Sequence, residues 1–145
     1  MNIIHVHPYF SFEKCFHSRY LIHEQAKLGN VVDVISSRED KYKVINLGDN
    51  LRVHLLPSIN MPFPRNVANP LLLNLKKHIQ NLKPDIIHFH QLFKITALTS
   101  IITSKVLDLP TVSTIHGVIA TSSLPLEIAQ RVYYYTIGKE ICKAT

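Results

Sequence analysis

The nine histidines of this 145-residue chain are placed unevenly. Four form two His-x-His pairs, His5 with His7 and His88 with His90, and a fifth, His116, is followed directly by Gly117. Each of these groups closes a short run rich in isoleucine, valine or threonine, which reads as a β-strand. Residues two apart in a strand share a face, so each pair shows both rings on one side. An imidazole can exchange a proton near neutral pH, hydrogen-bond a hydroxyl or ligate a metal. The outer members, His7 and His90, are expected to reach a ligand at the strand ends, with Gln91 following at the same edge. The inner members, His5 and His88, are expected to be core histidines satisfied by hydrogen bonds.

Two such pairs plus His116 could give Zn²⁺ three imidazoles and an open position. Hydrolases built that way usually add carboxylates beside the histidines. Here no Asp or Glu falls at a strand's carboxyl end, Asp85 lies at the opposite end of its strand, and Glu13 is the only acid nearby. No metal is therefore expected, although a histidine-rich metal hydrolase stays as an alternative. There is no Gly-x-Gly-x-x-Gly after the first strand, no P-loop and no Gly-x-Ser-x-Gly elbow. Of the four glycines, only Gly117 falls on the ligand edge, where it lets a ligand or backbone come close.

The elements that must position these residues alternate along the chain. Strands are expected at Asn2 to His7, Val31 to Ser36, Leu51 to Leu56, Ile86 to His90 and Thr111 to Ile115. Ser18 can cap a helix running to Leu28, which Gly29 ends. Pro57 to Asn69 reads as a loop, and Asn69-Pro70 as the start of a helix carrying Leu71, Leu72, Leu75, Ile79 and Leu82. Pro84 stops that helix. Further helices are expected from Phe93 to Leu107 and from Pro125 toward Cys142. Apolar strands separated by helices imply a Rossmann-like three-layer α/β/α domain with a mainly parallel sheet. With the five strands ordered 3-2-1-4-5, the first, fourth and fifth are neighbours around the point where strand order reverses. Ligands bind there, beyond the carboxyl ends.

Composition fits one domain with a real core: 46% of residues are apolar and 18% charged. No apolar run is long enough to span a bilayer, and Met1 to Phe10 lacks the basic start of a signal peptide. A cytoplasmic place is expected, with peripheral contact at the inner face of the membrane. Net charge is +6. The basic residues form no continuous stripe, so no nucleic acid is expected as a partner. Cys15 and Cys142 are expected to be reduced thiols.

Four strings now stand in order along the chain: "IIHVHPYF" from Ile3, "KLGNVVDVISSR" from Lys27, "LKPDIIHFHQLF" from Leu82 and "TVSTIHGV" from Thr111. Together they resemble family-4 glycosyltransferases of the GT-B class, over nearly the whole chain. The resemblance implies one half of a GT-B fold, with residues 1–145 as a single N-terminal, acceptor-side domain. It further implies transfer of a sugar, with retention, from a nucleotide-sugar to a hydroxyl acceptor such as a lipid-linked or cell-envelope glycan. No cofactor is implied; the nucleotide-sugar is a co-substrate held mainly by a C-terminal donor domain, in cis or in trans. Without that domain the chain is expected to be inactive. A non-catalytic carbohydrate- or partner-binding module is the alternative.

The resemblance also assigns residues. His116 matches the family's histidine after the fifth strand, which contacts the transferred sugar, and it is the candidate catalytic residue, with Gly117 beside it. Pro8 to Phe16, including Tyr9 and Phe10, matches the loop facing the donor phosphates and the acceptor. A Gly-Gly pair is usual in that loop, and here the stretch from Phe12 to Cys15 has no glycine. Lys14 and Arg19 are the side chains that could replace its phosphate contact.

Overall fold

A computed structural model describes residues 1–8, 10–11, 15–38, 41–61, 67–70, 72–91, 95–115, 128 and 131–144. The elements in chain order are β1 (Asn2–His7), α1 (Phe16–Lys27), β2 (Val31–Arg38), β3 (Lys43–Asn46), β4 (Leu51–Met61) and β5 (Val67–Pro70). They continue with α2 (Leu72–Leu82), β6 (Ile86–His90), α3 (Ile95–Leu107) and β7 (Thr111–Thr114). A π-helical turn, Tyr134–Gly138, leads into α4 (Lys139–Ala144).

The sheet order is β3-β4-β2-β1-β6-β7, with β5 on β4. The run from β4 to β7 is parallel, while β3 and β5 lie antiparallel to β4. The five expected strands thus stand in the expected order, with β1, β6 and β7 adjacent. Two half-cores follow from the period-two alternation of the strands. Ile22 of α1 covers Val32, Val34, Leu51 and Val53 on one face. On the other, Leu75 and Ile79 of α2 and Ala97 and Ile101 of α3 cover Ile4, Val6, Ile35, Leu56, Ile87 and Phe89. Burying one such leucine or isoleucine contributes about 1.5–3 kcal/mol.

Several boundaries differ from expectation for physical reasons. Of the stretch expected as a loop from Pro57 to Asn69, the described residues belong to the end of β4 and to β5. Pro57 falls between the end of the β3 pairing at Leu55 and the start of the β5 pairing at Ser58, so its missing N–H breaks no antiparallel ladder bond. Pro70 closes β5, and α2 begins at Leu72 rather than at Asn69-Pro70. Ser18 is not the cap of α1: it is buried one turn inside, and Cys15 holds the N-cap position without a side-chain cap. Gly29 ends α1 as expected, at φ 84°. Its N–H donates to Ala26 O at 2.9 Å and that of Asn30 to Gln25 O at 3.3 Å, the Schellman pattern. Both cysteines are free. Among the described residues, no helix is long and apolar enough to cross a membrane.

Candidate functional site at the carboxyl edge of β1, β6 and β7

The chain leaves β1 toward β2 on one side and later places β6 on the other, so strand order reverses between β1 and β6. Their carboxyl ends bring His7, His90 and Gln91 together. Gln91 has φ 68°, a left-handed backbone that costs a non-glycine residue about 1 kcal/mol. Its N–H donates to Thr114 O at 3.1 Å, which ties the end of β6 to the end of β7. The first loop is pinned to the same edge. The N–H of Phe10 donates to the buried Ser36 Oγ at 2.8 Å, and the Phe10 ring meets His7 edge-on at 5.8 Å. Pro8 is buried beside them. The Arg19 guanidinium lies 5.4 Å over the Phe16 ring at the start of α1. Tyr9, Lys14, His116 and Gly117 lie outside the described residues.

The histidines form one cluster. His5 and His88 face each other across the β1–β6 register, so His7 and His90 share their face. All four are buried, at 0% (His5), 4% (His7), 7% (His88) and 1% (His90) exposure. His7 and His90, expected to be the outer members, are as enclosed as the inner pair. Ring centroids are 4.5 Å apart for His88 and His90 and 5.1 Å apart for His7 and His90.

A hydrogen-bonded chain runs through the cluster. His5 Nε2 is 2.6 Å from Gln25 Oε1, and His5 Nδ1 is 3.0 Å from His90 Nε2. An amide oxygen only accepts, so His5 donates from Nε2 and accepts at Nδ1, where the His90 Nε2–H donates. His88 Nε2 lies 2.7 Å from Thr114 Oγ1. Burial, and then the neighbouring His88, push the His5 pKa from 6.5 to about 3, while Gln25 opposes the fall. His5 is therefore neutral at physiological pH, and a neutral ring that donates from Nε2 accepts at Nδ1.

His5, His88 and His90 are also the set that could hold a metal, with ligand nitrogens within 4.8 Å of one another. All three belong to the two His-x-His pairs weighed on sequence grounds. Both His5 nitrogens and His88 Nε2 are committed to the contacts above, so the arrangement fits a packed imidazole chain. Gln25 was missed in the sequence. Its signal was a polar residue on the inward stripe of α1, after Ser18 and Ile22.

A second polar group lies on the opposite face. Asp33 Oδ1 accepts from His54 Nε2 and from Arg52 Nε, each at 2.8 Å, and Arg52 also reaches Asp33 Oδ2 at 2.8 Å. Burial alone would raise the Asp33 carboxyl. The hydrogen bonds from His54 and Arg52 outweigh it and hold the group below its ordinary value.

The glycosyltransferase family 4 model matches residues 16–141, most of the chain. The chain belongs to glycosyltransferase family 4. No curated protein gives a significant match. Among solved structures, sucrose-phosphate synthase from Thermosynechococcus elongatus is similar, with a TM-score of 0.60 and 13% identity over 83% of this chain and 36% of that one. A second structure of that synthase gives a TM-score of 0.56 and 14% identity, over 81% of this chain and 64% of that one. At such identities the likeness is one of fold. This family-4 chain thus spans 36% of the length of the first synthase chain. The family match begins at Phe16. It thus includes Arg19, His90, Gln91, His116 and Gly117, whereas His7 to Phe10 precede it.

Proposed function

We propose that this chain is the acceptor-side domain of a retaining glycosyltransferase, which moves a sugar from a nucleotide-sugar to a hydroxyl of a glycan or lipid-linked acceptor. The observation that carries the reading is Gln91. Its strained backbone sits where β6 ends beside β1, and strain is kept where a site is over-determined by its surroundings. Gln91 offers an amide to sugar hydroxyls there, and His7 and Phe10 line the neighbouring loop. His116, one residue beyond Ile115 after β7, supplies the imidazole that hydrogen-bonds the transferred sugar, and Gly117 keeps the approach open. No resident metal or cofactor takes part in this reading; side chains and a helix N-terminus neutralise the leaving diphosphate.

Transfer needs donor and acceptor held together in a site shielded from water. In this reading the donor is held by a second domain, in cis or in trans. Turnover of nucleotide-sugars by the 145-residue chain is the test. The reading expects none for the chain alone and transfer once a donor domain is supplied. Turnover by the chain alone would remove the dependence. Net charge +6 suits an acceptor at an anionic membrane surface. Co-sedimentation should then be greater with anionic than with neutral vesicles, and equal recovery would remove the electrostatic part.

A further inference from the structure

We propose that the cleft between β4 and α2 binds a single saccharide unit carrying a negative charge. It has a volume of about 320 Å³, at the small end for ligand sites and sufficient for one hexose but not a longer glycan. Its α2 wall is Asn74, Lys77, His78 and Asn81. These fall at i, i+3, i+4 and i+7, so they form one stripe, while Leu75 and Ile79 point to the core. Tyr42, Leu56 and Pro57 complete the lining.

Tyr42 is 47% exposed, yet its hydroxyl end is anchored. Its hydroxyl is 3.1 Å from His54 Nδ1, and His54 is fixed in turn by the buried Asp33 carboxylate at 2.8 Å. The His78 ring packs against Tyr42 at 4.8 Å and 71°. A half-exposed aromatic face held this firmly is a pre-ordered platform for the C–H face of a sugar ring, with little ordering left to do on binding. Asn74 and Asn81 each offer donors and an acceptor, which matches hydroxyl groups.

Charge selects the ligand. Lys77 brings a cation to the cleft. The nearby Asp33 carboxylate is already matched by Arg52, and no carboxylate is among the described lining residues. The cleft lies beside β4, away from the β1–β6 edge. Its failure as a site would leave the proposed acceptor function untouched.

The test is an amide NMR titration of the 145-residue chain with glucuronate, glucose 6-phosphate, glucose and inorganic phosphate. Both charged sugars should shift the Asn74 and Asn81 side-chain amides, with Kd on the order of 1–10 mM and about tenfold tighter than glucose. Lys77→Gln, at an exposed position, should bring them to the level of glucose. Tyr42→Ala should abolish all three responses, while Tyr42→Phe, which keeps the ring but loses its hydroxyl anchor to His54, should weaken them without abolishing them. Shifts confined to other residues, equal affinity for inorganic phosphate, or charged-sugar binding unchanged in Lys77→Gln would overturn the proposal.

Discussion

Protonating His5 means placing a charge in a closed pocket beside His88. Its folded pKa of about 3 lies below the usual 6.5, so the unfolded chain takes up the proton first. Stability is therefore full above about pH 6.5 and falls as pH drops toward 3, by up to about 1.4 kcal/mol per unit from this group. Urea denaturation at pH 7 and pH 5 should show this slope, and His5→Gln should flatten it. His78, lowered mainly by burial, adds in the same direction. Asp33 acts lower: its stabilisation is present above its ordinary value of 3.8 and is lost as pH falls through the depressed folded value. Asp33→Ala should cost about 2 kcal/mol in urea denaturation, because it strands buried His54; the partial exposure of Arg52 softens the loss. The clustering of His5, His7, His88 and His90 is readable from two short motifs and the strand period. Their partners were not. Gln25 falls on the inward stripe of α1, but nothing in the sequence pairs it with His5, and Thr114 meets His88 only through the fold. Asp33, Arg52 and His54 are likewise joined by register rather than by motif.

Helix ends and strand ends obey local rules where a glycine is present and hide where it is not. Gly29 at φ 84° has open space around a would-be Cβ, so Gly29→Ala should cost only backbone strain. A loss of about 1 kcal/mol, read as a fall of ~4 °C in Tm, is expected. Lys83 ends α2 in the same left-handed region, at φ 48°, without glycine. Lys83→Gly should raise stability by about 0.5 kcal/mol in urea denaturation, the relief of strain exceeding the added freedom of the unfolded chain. β3 was illegible because three of its four residues are exposed and only Ile45 is partly buried, too little for a burial pattern. β4 was cut short in the sequence because Pro57 normally stops a strand, and only the gap between its two antiparallel partners lets it continue.

At the scale of the molecule, the alternation of apolar strands and helices sufficed to place β1, β6 and β7 side by side, and hence to place the point where strand order reverses. That reversal point follows from topology alone, which is why it was legible in the sequence. Exposure at that edge was not legible, since it depends on how Gln25 of α1 and Phe10 pack against the histidines. The central claim is that sugar transfer occurs at this edge, with His116 touching the reacting sugar. Its most direct test is the initial rate of transfer with a donor domain supplied, compared between wild type and His116→Ala of unchanged circular dichroism. The account predicts a rate lower by roughly 10²–10³ for the variant, the cost of removing one hydrogen-bonding group from the transition state. An unchanged rate in the folded variant would contradict it.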